Sequence, residues 1–331
     1  MSVVIKSIIG ESIARQDRQS SNKIFKTLDE QIDILKEKGL VIDDINFAKQ
    51  ILLRENYFFI SGYRHLLLKS KTDRKFIPNT NFRELYAIFN FDRQIRNIIF
   101  KNLLIVENNI KSIFSYQLSK KYGYREKEYL KPSNFTNNPD KFRQVNDLIK
   151  KMKRQIKING NQHAATKHYQ INYGYLPLWV VVKVLSFGIV CELFTIMKKE
   201  DQIEISEIYN IKPNTLSIYL PILANFRNLC AHENILYDYK TQRPIPDSFY
   251  HNALNIPKKD GEYIYGKDDL FALIIILKHM LSKDEFKLLI NELTYEIDVL
   301  DGKLEVITIE KLLNDIGFPI NFKEICFLEK E

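Results

Sequence analysis

From Asn81 to Tyr122 the chain contains neither glycine nor proline. Leu85, Phe89, Ile95, Ile99, Leu103, Val106, Ile110 and Ile113 recur along this stretch at spacings of three, four or multiples of these. That period places them on one face of an α-helix. The stretch reads as one very long helix, or as two helices broken near Phe91.

The same period runs through most of the chain. Thr27 and Glu30 form a T-x-x-E capping box, Leu28, Ile32 and Leu35 then share a face, and Gly39 closes the helix. Asp43 or Asp44 starts the next, with Phe47, Ala48, Ile51 and Leu52 as its stripe. Residues 55–67, ENYFFISGYRHLL, are aromatic and β-branched; a short strand is open, and a turn packed against helices is preferred. Residues 141–160 read as a helix with a strongly cationic face, ending at Gly160. Pro177 sits near the first turn of a helix carrying Trp179, where the missing N–H costs little. Pro213 opens another helix, and Pro221 should kink or restart it, so a separate helix is expected from about Pro221 to Leu236. Five prolines and glycines (Pro244, Pro246, Pro257, Gly261, Gly266) make 238–267 a long surface loop with room for a hairpin. Ser282 and Glu285 form a second capping box before a helix to about Leu300, and a short helix follows near 309–316. The expected fold class is all-α, with no internal repeat and no low-complexity linker. The expected division is an N-terminal helical region (1–80), a helical bundle (81–240), and a loop with C-terminal helices (241–331).

With 45% hydrophobic residues in 331, the chain can bury one large core or two modest ones. Lys and Arg number 49 against 41 Asp and Glu, a net charge of +8 that fits a nucleic acid or another polyanion without singling one out. Cys191, Cys230 and Cys326 show no C-x-x-C spacing, so they read as buried thiols of a reducing cytosol, and no zinc site is visible. His163 and His168 read as loop residues. The N-terminal twenty residues lack the long apolar core of a signal peptide. Residues 176–197 are interrupted by Lys183 and Glu192, and 270–277 are too short to span a membrane; both read as buried core helices.

One short run stands out: FRNLCAHENILYD, residues 226–238. On an ideal helix with Phe226 at zero, Ile222, Leu223, Leu229 and Cys230 fall within about 60° and form the buried stripe. Arg227 lies at about 100°, Asn228 at about 200° and His232 at about 240°. Asn228 and His232 are therefore neighbours, whereas Arg227 stands toward the other edge. A site using both Arg227 and His232 needs a bent helix, a long reach, or a second copy of the helix. The plain alternative is a solvated polar face.

This run resembles the R-x4-H motif of HEPN ribonucleases, and more narrowly the Abi family of abortive-infection proteins, in its AbiD/AbiF group. Residues 27–67, 105–123 (IVENNIKSIFSYQLSKKYG), 175–197 (YLPLWVVVKVLSFGIVCELFTIM) and 226–238 resemble that family's signatures in order and spacing. Two positions depart: Glu233 stands where a second histidine is frequent, and Asp238 where asparagine is. The resemblance implies a HEPN-like helical bundle with additional N- and C-terminal helices. It implies a metal-independent, cofactor-free endoribonuclease in which the RNA 2′-hydroxyl attacks the adjacent phosphate. Arg227 and His232, supported by Asn228, would be catalytic. A histidine can move the protons, and a guanidinium can fork onto phosphate oxygens as charge builds. The resemblance further implies a cytoplasmic homodimer that pools two motifs at one phosphate, with no membrane partner, and some relatives are restrained by a small structured RNA.

The basic run Lys141, Arg143, Lys150, Lys151, Lys153, Arg154 and Lys157 either tracks an RNA backbone or is a solvated helix face. Glu107, in an otherwise apolar helix, either pairs with Arg227 or a lysine, or lies at the surface. Trp179 reads as core. The expected function is an abortive-infection ribonuclease toxin; the alternative is a non-catalytic RNA-binding or protein-interaction module of a defence or toxin–antitoxin system.

Overall fold

The structure is a computed structural model that describes residues 24–70, 72–160 and 162–329. The N-terminal stretch read as lacking a signal peptide lies outside the described residues. Among the described residues, fifteen α-helices and one hairpin of two-residue strands make an all-α fold. The chain divides into two compact units, one up to Tyr86 and one from Ala87 onward.

In the first unit, helix α1 (Leu28–Glu37) opens on the expected box, Thr27 accepting from the Glu30 N–H while Glu30 accepts from the Thr27 N–H. Asp44 caps α2 (Ile45–Glu55) by accepting from Phe47 N–H at 2.9 Å. Residues 55–67 are neither strand nor turn. They form α3 (Tyr57–Gly62) and a 3-10 helix (Tyr63–Leu67). The reason is Asn56, which turns the chain at φ +68° and caps the new helix through its side chain. Ile60, Tyr63, Leu66 and Leu67 thereby reach the core.

Helix α4 (Phe82–Tyr122) runs unbroken for 41 residues. Asp92, the polar residue beside the suspected break, is drawn into an ion pair with Arg96 one turn on instead of capping a new helix. Within the second unit, Phe91, Ile95, Ile99, Leu103, Val106, Ile110, Phe114 and Leu118 are all buried at spacings of four or three. Next come α5 (Glu126–Tyr129) and the basic helix α6 (Phe142–Asn159). A helix not expected from the sequence, α7 (Ala164–Tyr173), contains His168, which is therefore not a loop residue, whereas His163 lies just outside it in extended conformation.

Residues 176–197 form two helices, α8 (Leu178–Val181) and α9 (Phe187–Ile196), rather than one. The break is stabilised from α6: Gln155 accepts from Ser186 N–H at 2.9 Å, and Asn159 donates to the Val184 carbonyl at 3.2 Å. Helix α10 (Lys199–Ile208) leads to α11 (Pro213–Ala231), which Pro221 neither ends nor restarts. Pro221 is exposed, so the carbonyl freed by its missing N–H can be hydrated. Helix α9 packs against both α6 and α11.

The expected surface loop 238–267 holds a short helix, α12 (Phe249–Ala253), and the hairpin Lys258–Lys259 with Glu262–Tyr263. It also buries Ile245, Tyr250, His251, Leu254 and Ile256, so it is partly core. Helix α13 (Leu270–Met280) is buried on every side from Leu270 to Leu277. The chain continues through α14 (Lys283–Asp301), capped by the Ser282–Glu285 box, and α15 (Ile309–Ile316). No helix among the described residues is long and apolar enough to cross a membrane.

Candidate functional site

The motif helix α11 stops earlier than its apolar pattern suggests. Its last helical residue is Ala231, and His232 is the C-cap, its N–H bonded to the Asn228 carbonyl at 3.0 Å. Glu233 takes the left-handed conformation (φ +53°), its N–H reaching the Cys230 carbonyl, and Asn234 N–H reaches the Leu229 carbonyl. This pair of bonds is the Schellman termination. His232 therefore sits on the rim of the helix end and not on a helical face that continues to Leu236.

The segment beyond is clamped by two buried residues of α4 that the sequence reading passed over. Asp92 accepts from the backbone N–H groups of Leu236 (3.1 Å) and Tyr237 (2.8 Å). Arg96 donates to Asp92 at 2.7 Å and to the Asn234 carbonyl at 3.0 Å. The signal was present: an Asp and an Arg four residues apart, bordering an apolar stripe, are placed to pair inside.

Arg227 turns toward α4. Its Nε–H donates to Glu107 at 3.0 Å, and its guanidinium lies 5.9 Å from the Phe100 ring centre. Glu107 also accepts from Lys111 at 2.7 Å. Glu107 is thus paired with both kinds of partner considered for it. Glu107 and Lys111 are buried, whereas the Arg227 side chain stays 32% exposed. With two cations on one carboxylate, the cluster keeps a positive excess at its exposed end. Cys191 of α9 borders it; burial first, then the Glu107 charge, raises that thiol. Burial pushes the Cys230 thiol up to about 12. Both cysteines are free and buried.

Asn228 and His232 are exposed. Among the described residues, no hydrogen bond or ion pair joins Arg227 to His232, and the His232 imidazole has no hydrogen-bond partner. No group of three or more His, Cys, Asp or Glu side chains converges as a metal site among the described residues.

The basic run does not act as one face. Lys141 donates to the Thr195 carbonyl at 2.8 Å, and Lys151 pairs with Glu192 at 2.9 Å, so both tie α6 to α9. Arg143 and Lys150 stand 3.8 and 3.9 Å from Asp147. Lys153, Arg154 and Lys157 are exposed with no carboxylate partner among the described residues. Helix α9 separates this helix from the Arg227 cluster, since Cys191 borders Glu107 while Glu192 and Thr195 hold α6. Trp179, expected in the core, is 46% exposed.

Fold and site together define an all-α protein in which an arginine, tethered to a buried carboxylate–lysine pair, lies just ahead of an exposed histidine at a helix end. A family model described as Abi-like protein matches residues 50–238. That is more than half of the chain, and the chain belongs to this family. The family's name is that of abortive infection, a form of phage defence. No curated protein and no solved structure matches the chain.

Proposed function

We propose that the chain is a HEPN-type endoribonuclease of the AbiD/AbiF kind, acting as an abortive-infection toxin, with Arg227 and His232 at a site completed by a second copy. The observation that carries this reading is the state of those two side chains. Arg227 commits its Nε–H to Glu107 and keeps its other N–H donors available. His232 presents an exposed imidazole at a helix end. The RNA 2′-hydroxyl attacks the neighbouring phosphorus, its proton passes to a base, and the departing 5′-oxygen takes a proton. The products are a 2′,3′-cyclic phosphate and a 5′-hydroxyl.

An imidazole can serve either proton transfer. The guanidinium stabilises the charge that builds on the phosphate oxygens. Asn228, one turn before His232, can orient the imidazole or hold a phosphate oxygen. Within one copy Arg227 is held by Glu107 and no hydrogen bond joins it to His232, and a two-fold axis offers each motif the complement it lacks. This reading admits a small structured RNA as regulator.

The test is incubation of the full chain with RNA and analysis of the ends. The expected result is cyclic-phosphate ends, with His232→Ala slowing cleavage by roughly 10²–10⁴ while RNA binding persists. Equal RNA binding by parent and His232→Ala, with cleavage by neither, would sink the enzyme and leave a non-catalytic RNA-binding or protein-interaction module. The Arg227–Glu107 ion pair favours that second reading, because it gives Arg227 a structural role without any chemistry.

A further inference from the structure

Two hollows open on different faces of α6, and their charge balance differs. One, about 650 Å³, sets Arg143, Lys150, Lys151 and Arg154 against Asp140, Asp147 and Glu192. Its cations are largely answered by carboxylates. The other, about 600 Å³, is lined by Lys127, Lys131, Lys153 and Lys157 against Glu126 alone. The Glu126 carboxylate is itself occupied, accepting from Leu176 N–H at 2.7 Å. The four lysines are exposed and have no carboxylate partner among the described residues. Lys153 and Lys157 stand one turn apart on α6, where like charges repel, while Lys127 and Lys131 come from α5 and the extended segment after it. A bound anion would relieve that repulsion.

Beside this groove runs a line of aromatic rings. Gln170 and Leu176 belong to the groove wall, and Tyr169, Tyr173 and Tyr175 flank them in the chain. Ring centres step from Tyr169 to Tyr173 (5.2 Å), to Tyr175 (6.3 Å), to Tyr124 (5.5 Å) and to Trp179 (6.2 Å). The Arg125 guanidinium lies over Tyr124 and Tyr175. Tyr173 is 56% exposed, and Tyr124 and Trp179 are exposed as well. A soluble core has no use for this arrangement. A flexible polyanion with flat hydrophobic substituents would use both halves.

The geometry points to a binding site for single-stranded nucleic acid, with phosphates in the Lys127–Lys131–Lys153–Lys157 groove and bases against the Tyr169–Tyr173–Tyr175–Trp179 row. Lysines neutralise the backbone without reading sequence, and every base offers a face to a ring. A duplex keeps its bases stacked inside and cannot use the rings. An acidic peptide could use the lysines and not the rings. The site does not require Arg227 and His232 to be catalytic, and it assigns Lys153 and Lys157 to a role that the rest of the basic run does not share.

The test uses the full chain and a labelled, unstructured DNA oligomer of about 12 nucleotides. DNA lacks the 2′-hydroxyl, so binding is read without the proposed cleavage. The expected result is tighter binding of the single strand than of a duplex of equal length. Tyr173→Ala or Trp179→Ala should weaken it by roughly 5- to 150-fold, the equivalent of about 1–3 kcal/mol per stacked base, and Tyr173→Phe should not. Lys153→Ala with Lys157→Ala should lower the salt slope (log K against log salt) by about 1.4. These side chains are exposed, and thermal unfolding verifies that each variant folds. Equal binding of duplex, equal competition by polyglutamate, or indifference to the aromatic and lysine substitutions would each overturn the proposal. RNA cleavage assayed alongside separates the two ideas: oligomer binding without cleavage sinks the enzyme, and cleavage without oligomer binding sinks this site.

Discussion

The residues that most define the candidate site are charged side chains taken out of water. Glu107 draws Lys111 and Arg227 together, and Asp92 draws Arg96 and two backbone N–H groups. Burying an ion pair gains little net stability, but removing one partner strands the other in a poor solvent. Asp92→Ala leaves Arg96 buried and the N–H groups of Leu236 and Tyr237 without acceptors. It should destabilise the chain by about 3–5 kcal/mol, read from denaturant unfolding. A loss under about 1 kcal/mol would mean that the 234–237 segment finds other partners, since that is the scale of an ordinary exposed ion pair.

At the scale of elements, the end of α11 decides where the histidine sits. The termination needs a left-handed residue, and Glu233 supplies it without being glycine. A side chain in that conformation costs about 1–2 kcal/mol. Its negative charge also lies at the negative end of the helix dipole. Glu233→Gly relieves both and should raise stability by about 1 kcal/mol, seen as a higher thermal midpoint. A lower midpoint would show that the Glu233 side chain makes a stabilising contact that outweighs its strain. Two other departures from expectation turn on where freed backbone groups find partners. Residues 182–186 leave the helix because Gln155 and Asn159 of α6 bond the freed backbone groups. Pro221 stays inside a helix because its side faces water.

Across the larger unit, the stability carries a proton dependence set by His251. Its Nδ1 accepts from Ser248 N–H and its Nε2 donates to the Gly266 carbonyl, inside a fully buried pocket. Burial holds this imidazole below its ordinary value of 6.5, against the weaker pull of the Gly266 bond. The unfolded chain then takes up a proton near pH 6.5 that the folded chain refuses. Stability from this group is complete above that pH and is lost as pH falls through the lower folded value. The slope is at most about 1.4 kcal/mol per pH unit. Asp269, raised above 3.8 by burial, contributes the opposite sign, its stability complete below 3.8 and lost as pH rises through its raised folded value. The clean measurement is therefore a difference. His251→Gln should flatten the unfolding profile just below pH 6.5 relative to the parent, and parallel profiles would refute the assignment.

Much of the helical architecture was legible because its cause is local. The period of α4, the Thr27 and Ser282 boxes, and the buried runs of α9 and α13 depend on residues within a few turns of each other. The motif itself was legible as a run of residue types, and so was the family. What the run could not reveal was its partners. Arg227 meets Glu107 across 120 residues, and Asp92 meets the backbone of Leu236 across 144. Which side of the basic helix is neutralised likewise depends on Glu192 of α9, and which side stays cationic on Lys127 of α5 and Lys131 just after it. Hydrophobic spacing is written along the chain, whereas the partner of a charge is chosen by whatever the finished packing brings within about 4 Å of it. Only the tertiary structure could decide that.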